Sequence, residues 1–310
     1  MTDHTPKLKP VGRSPAAQAA LAKSLVGTGR LDDAEEAADA ALRANPESAD
    51  AHHAKGLIAR ARGLLKDARR HLERTVQLDP AHAEAWAGLA LTLTESDEPS
   101  AAHDALERAM ATYEELGEPH PLSIALLRAR ILKALQKHDE AVAAYRAVLD
   151  LEPRHAAAHL ELGRLLRSNG LPTTAVEHLT AARSIGRWDP EPCLELGDSW
   201  RESGDFDRAM EEYRTAALRR PHDSRAYVRL GELFLDRALH LEALQSFRMA
   251  SVANAQDARA YLGLGRVYLA VAAHSEAVEA FEQARVADPE LTEAVTLLGQ
   301  AQAARDAAEG

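Results

Sequence analysis

The residues of this 310-residue chain able to carry catalysis or hold a metal are fourteen histidines, one cysteine and forty-eight carboxylates. His155 and His159 are four apart, the spacing that sets two imidazoles on one helical face for a zinc site. However, His155 falls in a turn between helical segments. His159 occupies a packing position held elsewhere by Trp86, Cys193, Tyr227 and Tyr261. No third ligand completes the set, so no metal is expected. His52 and His53 are adjacent and leave a helix in different directions. Cys193 has no second cysteine to pair with, and its packing position suits a buried neutral thiol rather than a nucleophile. Asp32-Asp33 and Glu35-Glu36 open a helical segment, where negative charge favours the helix dipole, and read as a solvated face. No strand is expected, hence no glycine-rich phosphate loop following one. The chain reads as no enzyme and as using no cofactor.

Charge narrows the partners. The net charge of −11 opposes general binding of nucleic acid or an anionic membrane. The cluster Arg60, Arg62, Lys66, Arg69, Arg70 and Arg74 lacks the aromatic interleaving of a single-strand binder. Seven of the 37 basic residues are Lys and 30 are Arg, a bias usual in GC-rich bacterial genomes. No segment approaches the roughly 20 apolar residues that span a bilayer. Residues 1–14 lack the apolar core of a secretory signal and read as a disordered lead-in. With one cysteine, the chain suits a reducing, cytoplasmic setting.

The elements that must position any site follow from a subtraction. Gly163, Gly197, Gly231 and Gly265 are 34 residues apart, and a fixed period of this size marks a stacked repeat array. Each period holds two apolar patterns at 3.6-residue spacing separated by a break. Between Pro190 and Pro221, Cys193, Leu194, Leu196, Gly197 and Trp200 make one helical face. Ser203-Gly204-Asp205 interrupts it, and Ala209, Met210, Tyr213, Ala216 and Ala217 make the second. Ala34, Ala68, Ala102, Ala141, Ala175, Ala209, Ala243 and Ala277 recur at one position. Leu72, Leu106, Tyr145, Leu179, Tyr213, Phe247 and Phe281 recur four residues after theirs, and Pro46, Pro80, Pro153, Pro221 and Pro289 close units.

These small and bulky residues, in this order, resemble the tetratricopeptide repeat family. The resemblance covers residues 15–291 and implies an all-α fold, an α-solenoid of eight helix-turn-helix repeats forming a right-handed superhelix. Eight periods leave five extra residues, which are located where Leu116-Gly117-Glu118-Pro119-His120-Pro121 delays the next helix to about Leu122. They mark a tolerated insertion or a step in the superhelix. Three repeats over 15–121, the third extended, then precede five over 122–291, and 292–310 form a capping helix and tail.

In this family the first helix of each hairpin lines the concave surface, which directs attention to particular residues. Leu126, Leu160, Leu194, Val228 and Leu262 take equivalent positions and read as an apolar ladder. Arg130 and Lys133, Arg164 and Arg167, and Arg201 lie one helical step away, with Arg225, Arg229, Arg259 and Arg266 as a second basic set. Together they suit an acidic and apolar segment of another protein, extended or helical. Glu161, Glu191, Glu195, Asp198, Glu232 and Asp236 share those helices and compete for the same arginines. Reversing Arg130, Lys133, Arg164 and Arg167 to Glu is therefore expected to abolish capture without unfolding. The family's carboxylate clamp is incomplete, since Leu160, Arg164 and Glu195 hold the sites of its Lys and Asn residues. An asparagine ladder is also missing, the equivalent sites being Ala54, Gly88, Leu127, Glu161, Glu195, Arg229 and Gly263. The expected function is a protein-interaction scaffold or adaptor. A self-assembling array, or a regulatory subunit of an enzyme or of a secretion or motility machine, stands as the alternative.

Overall fold

A computed structural model describes residues 14–309, so the lead-in expected over 1–14 lies outside it except for Ser14. The described residues are all-helical, and the chain is an α-solenoid of tandem hairpins. It divides into two compact units, Met1–Leu151 and Glu152–Gly310. The division follows the fourth hairpin rather than the insertion, giving four hairpins to each unit.

In the first unit the hairpins are α1 (Pro15–Gly27) with α2 (Leu31–Ala44), α3 (Ala49–Ala61) with α4 (Leu65–Leu78), α5 (Ala83–Glu95) with α6 (Pro99–Leu116), and α7 (Leu122–Ala134) with α8 (His138–Leu151). In the second they are α9 (Ala156–Ser168) with α10 (Pro172–Ile185), α11 (Glu191–Glu202) with α12 (Phe206–Arg219), α13 (Ser224–Asp236) with α14 (His240–Ala253), and α15 (Ala258–Ala270) with α16 (His274–Ala287). The helix α17 (Thr292–Glu309) follows. Within each unit the second helix of a hairpin packs on the first helix of the next. No hairpin therefore buries its apolar side alone.

Capping side chains set where the first helices begin. Ser14, Ser48, His82 and His155 accept from backbone N–H groups three residues on, and Asp223 and Asp257 from those two residues on. His155 is thus committed as an N-cap, its Nδ1 accepting from Ala158 at 3.1 Å. Each turn inside a hairpin passes through the left-handed region at one position. Gly29, Gly63, Gly170 and Gly204 hold it at φ of 76°, 73°, 76° and 80°. Asp97, Gln136, Ala238 and Ala272 hold it at 59°, 57°, 54° and 53°. The sequence signals the glycine turns and carries no signal for the other four.

Small residues on the first helices meet large side chains on the second. Leu179 packs at Gly163, Tyr213 at Gly197 and Phe281 at Gly265, while the Phe247 ring sits between Gly231 and Gly263. The insertion is absorbed in two places. Helix α6 has 18 residues where α4 has 14, and the loop that follows it runs over 117–121. Gly117 ends that helix at φ 68°, and His120 Nε2 lies 3.3 Å from the Met110 carbonyl. At the other end α17 buries Ala294, Leu298 and Ala301 against Leu262, Ala277 and Phe281, while Thr292, Glu293 and Gln300 meet solvent. This helix closes the core of the last hairpin.

Candidate functional site

The first helices of the second unit carry most of the expected binding residues, and the structure gives them other employment. Leu194, Val228 and Leu262 are only 7%, 4% and 7% exposed and belong to the hydrophobic cores of their hairpins. Leu160 is half-buried. The expected apolar ladder is therefore largely closed, because each of these side chains lies under the packing contact that joins its hairpin to the next. In the first unit Leu126 is half-buried on α7, while its neighbours Leu127 and Ile131 enter the core and Arg130 and Lys133 are exposed.

Five of the arginines are held by carboxylates. Arg164 binds Glu195 and Glu191 at 2.8 Å and Glu161 at 3.0 Å. Arg167 binds Glu202 at 2.6 Å and Glu195 at 3.0 Å, with Asp198 at 3.8 Å. Arg201 reaches Asp236 at 2.6 Å and Glu232 at 3.2 Å. Arg229 lies 3.3 Å from Asp198 and 3.6 Å from Glu232, and Arg225 lies 2.5 Å from Glu191 and 2.7 Å from Asp223. Most of these pairs join one first helix to the next, so the basic set works as an ion lattice between repeats. Burial disfavours the charged form of Arg164, Arg167 and Arg201, yet the carboxylates around them raise each above its ordinary value. Hydrogen bonds to Asp223 and Glu191 do the same for Arg225. Beneath the lattice, the Tyr213 hydroxyl donates to Asp198 Oδ1 at 2.7 Å, and burial raises the phenol above its ordinary value.

The lattice stops short of α15. Arg259 and Arg266 are exposed there, and neither side chain makes an ion pair or hydrogen bond with any described residue. Arg130 on α7 is in the same condition. The five arginines of the basic cluster on the second hairpin pair with carboxylates, through Arg60–Glu95, Arg62–Asp32, Arg69–Glu98, Arg70–Asp67 and Arg74–Glu47.

The arginine lattice was legible in outline, as acidic residues 27, 28, 31 or 35 positions beyond an arginine, one period give or take a helical turn. What sequence reading missed is a pair of histidine contacts, His52 with His71 and His159 with His178, each 19 residues apart in sequence. Burial pushes the Cys193 thiol up to about 11, which leaves it almost wholly protonated at neutral pH. Among the described residues no group of three or more His, Cys, Asp or Glu is placed to hold a metal ion.

The family model described as tetratricopeptide repeat matches residues 19–69, 126–190 and 194–258, and a second model of the same description matches 59–130. No curated protein matches the sequence. Among solved structures, a tetratricopeptide repeat protein from Parabacteroides merdae superposes with a TM-score of 0.62 at 16% identity, over 82% of this chain and 98% of that one. YrrB, a repeat protein described as having an unusual peptide-binding site, gives 0.54 at 16% identity over 61% and 95%. The APC/C hetero-tetramer Cut9–Hcn1 gives 0.48 at 19% identity over 95% of this chain and 50% of that one, so the chain spans half that protein's length.

Proposed function

Because the chain belongs to the tetratricopeptide repeat family, we propose that it is a non-catalytic scaffold holding a segment of another protein against its first helices. Proteins of this fold generally mediate protein–protein interaction. The single observation that selects the contact points is the pairing state of the arginines. An acidic segment meeting Arg164 or Arg201 must displace a carboxylate already in place, and the exchange of one ion pair for another gains little. At Arg130, Arg259 and Arg266 no exchange is needed. Arg259 and Arg266 are seven residues apart on α15, two helical turns or about 10 Å along one face. They suit two carboxylates at that separation on an extended chain. YrrB's described peptide-binding site makes the same use of the fold reasonable here. The single buried cysteine fits a cytoplasmic home.

Affinity capture from the native cell, read by mass spectrometry, tests this directly. Arg259→Glu with Arg266→Glu is expected to lose the captured protein at an unchanged melting temperature. An identical captured set with the doubly substituted protein folded would sink the reading.

One observation favours self-association as a second reading. Leu218, Val252 and Val286, each 34 residues apart on α12, α14 and α16, are 81%, 82% and 70% exposed. Light scattering across concentration separates the two: assembly requires a mass that rises with concentration, whereas a constant monomer mass removes it.

A further inference from the structure

Two histidine pairs recur at one position of the array. Nδ1 of His52 on α3 and Nδ1 of His71 on α4 are 3.1 Å apart, and His159 on α9 and His178 on α10 meet the same way at 3.2 Å. Both pairs have ring centroids 5.4 Å apart, with planes inclined by 31° and 33°. That separation equals the N···N distance plus one ring radius at each end, so the nitrogens meet head-on along the line joining the rings. Head-on approach is the geometry of an N–H···N hydrogen bond. Two lone pairs converging on a shared metal would be tilted off that line.

The far nitrogen of each first-helix ring fixes the tautomer. His52 Nε2 lies 3.1 Å from the Pro46 carbonyl, and His159 Nε2 lies 3.1 Å from the Pro153 carbonyl. A carbonyl only accepts, so Nε2 carries the hydrogen. Donors at the equivalent position make the same bond. Trp86 donates to the Pro80 carbonyl at 2.9 Å and Tyr261 to the Ala255 carbonyl at 3.3 Å. His52 Nδ1 is therefore bare, and His71 must supply the Nδ1–H between the rings. One further proton can sit on His71 Nε2 without disturbing that bond. A second would put hydrogens on both facing Nδ1 atoms, and the bond is lost.

The charges around the first pair are defined. Lys55 comes from α3, and Asp67, Arg70 and Arg74 come from α4. Lys55 is tied to Glu35 and Asp39 of α2, Arg70 to Asp67, and Arg74 to Glu47 in the turn before α3. His82, the N-cap of α5, and Lys23 of α1 act on His53 and Asp50. Burial first, then His52, Arg70 and Lys55, push His71 down to about 4, and burial lowers His52 as well.

We propose that the His52–His71 pair is an acid-sensitive latch, a hydrogen bond between neutral imidazoles that ties α4 to the turn before α3 and whose stabilising contribution is lost in mild acid. The sign follows from linkage. Unfolded, these rings titrate at the ordinary 6.5; folded, they resist protonation. Their contribution is complete above the unfolded value and is lost as pH falls from there towards about 4.

Imidazole nitrogen NMR on the full chain at pH 7.5 should show His52 protonated at Nε2 and His71 at Nδ1. The double variant H52W/H71A copies Trp86 and Ala105 of the next hairpin, so it keeps the carbonyl bond and removes the titrating pair. Between pH 7 and pH 4.5 the wild type should lose about 3 °C more of its melting temperature than this variant. His159–His178 is present in both and cancels. A His71 ring carrying its hydrogen on Nε2, equal losses in the two proteins, or zinc shifting both His52 and His71 at neutral pH would each overturn the latch.

Discussion

Replacing Gly263 with alanine should cost about 2–3 kcal/mol, the largest effect expected of any one-carbon change in this chain. The added methyl would run into Phe247 at Cε1, Cδ1 and Cζ. The ring has no room to retreat, because a Cβ at Gly231 on its other side would lie only 2.7 Å from Cε1, Cε2 and Cζ. Phe247 is 1% exposed, so relief must come from moving α13 and α15 apart. Two further substitutions calibrate the effect. At Gly88, in the same repeat position, the nearest atom is the flexible tip of Leu72 at 3.3 Å, and at Gly299 nothing lies within 4 Å. Alanine there gains up to about 1 kcal/mol of helix propensity with little or no clash. Urea unfolding of the three variants checks the order, and a Gly263 variant as stable as the Gly299 variant would disprove the sandwich.

Reversing Arg164 and Arg167 to Glu should destabilise the second unit by about 2–4 kcal/mol, an effect on folding before any effect on binding. Glu161, Glu191, Glu195, Asp198 and Glu202 converge on those two guanidinium groups. Reversal removes the cations and adds two more anions among them. Any one of these part-exposed pairs contributes only about 0–1 kcal/mol, so the size of the loss comes from shared partners and like-charge crowding. Salt supplies the check. At 1 M the screening length falls to about 3 Å, and the gap in melting temperature between variant and wild type should narrow. Arg259→Glu with Arg266→Glu, which breaks no pair, should melt with the wild type at either salt concentration. A reversed Arg164/Arg167 protein melting within a degree of wild type would show the lattice to be idle. The charge reversal expected from sequence to empty a groove cleanly therefore combines two unlike perturbations, harmless at Arg130 and disruptive at Arg164 and Arg167.

The difference shows what sequence order conveys here. Ala209 with Tyr213, or Ala277 with Phe281, announces a hairpin because local spacing on one helix and close packing between two are the same fact read twice. Exposure of the first-helix residues was not legible in this way. Whether Leu194 or Val228 faces solvent depends on how deeply the neighbouring hairpin covers it, a distance set by side chains 30 or so residues away. The state of the arginines has a similar origin. Sequence showed Glu195 and Arg164 on successive first helices and left open whether they met. The histidine pairs were missed because adjacency at 52–53 and the four-residue step at 155–159 drew attention to neighbours on one helix. The contact instead crosses a hairpin.

The hairpin turns have a consequence for where the array gives way. A residue with a side chain in the left-handed region carries a penalty of about 1–2 kcal/mol that glycine avoids. Asp97, Gln136, Ala238 and Ala272 carry it, and Gly29, Gly63, Gly170 and Gly204 do not. Hairpins built on one plan are thus unequal in strain, and the strained ones come in adjacent couples, the third with the fourth and the seventh with the eighth. Each unit ends its run of hairpins on such a couple. Fraying and proteolytic nicking would begin at those turns, while the first two hairpins of each unit serve as its last ordered remnant.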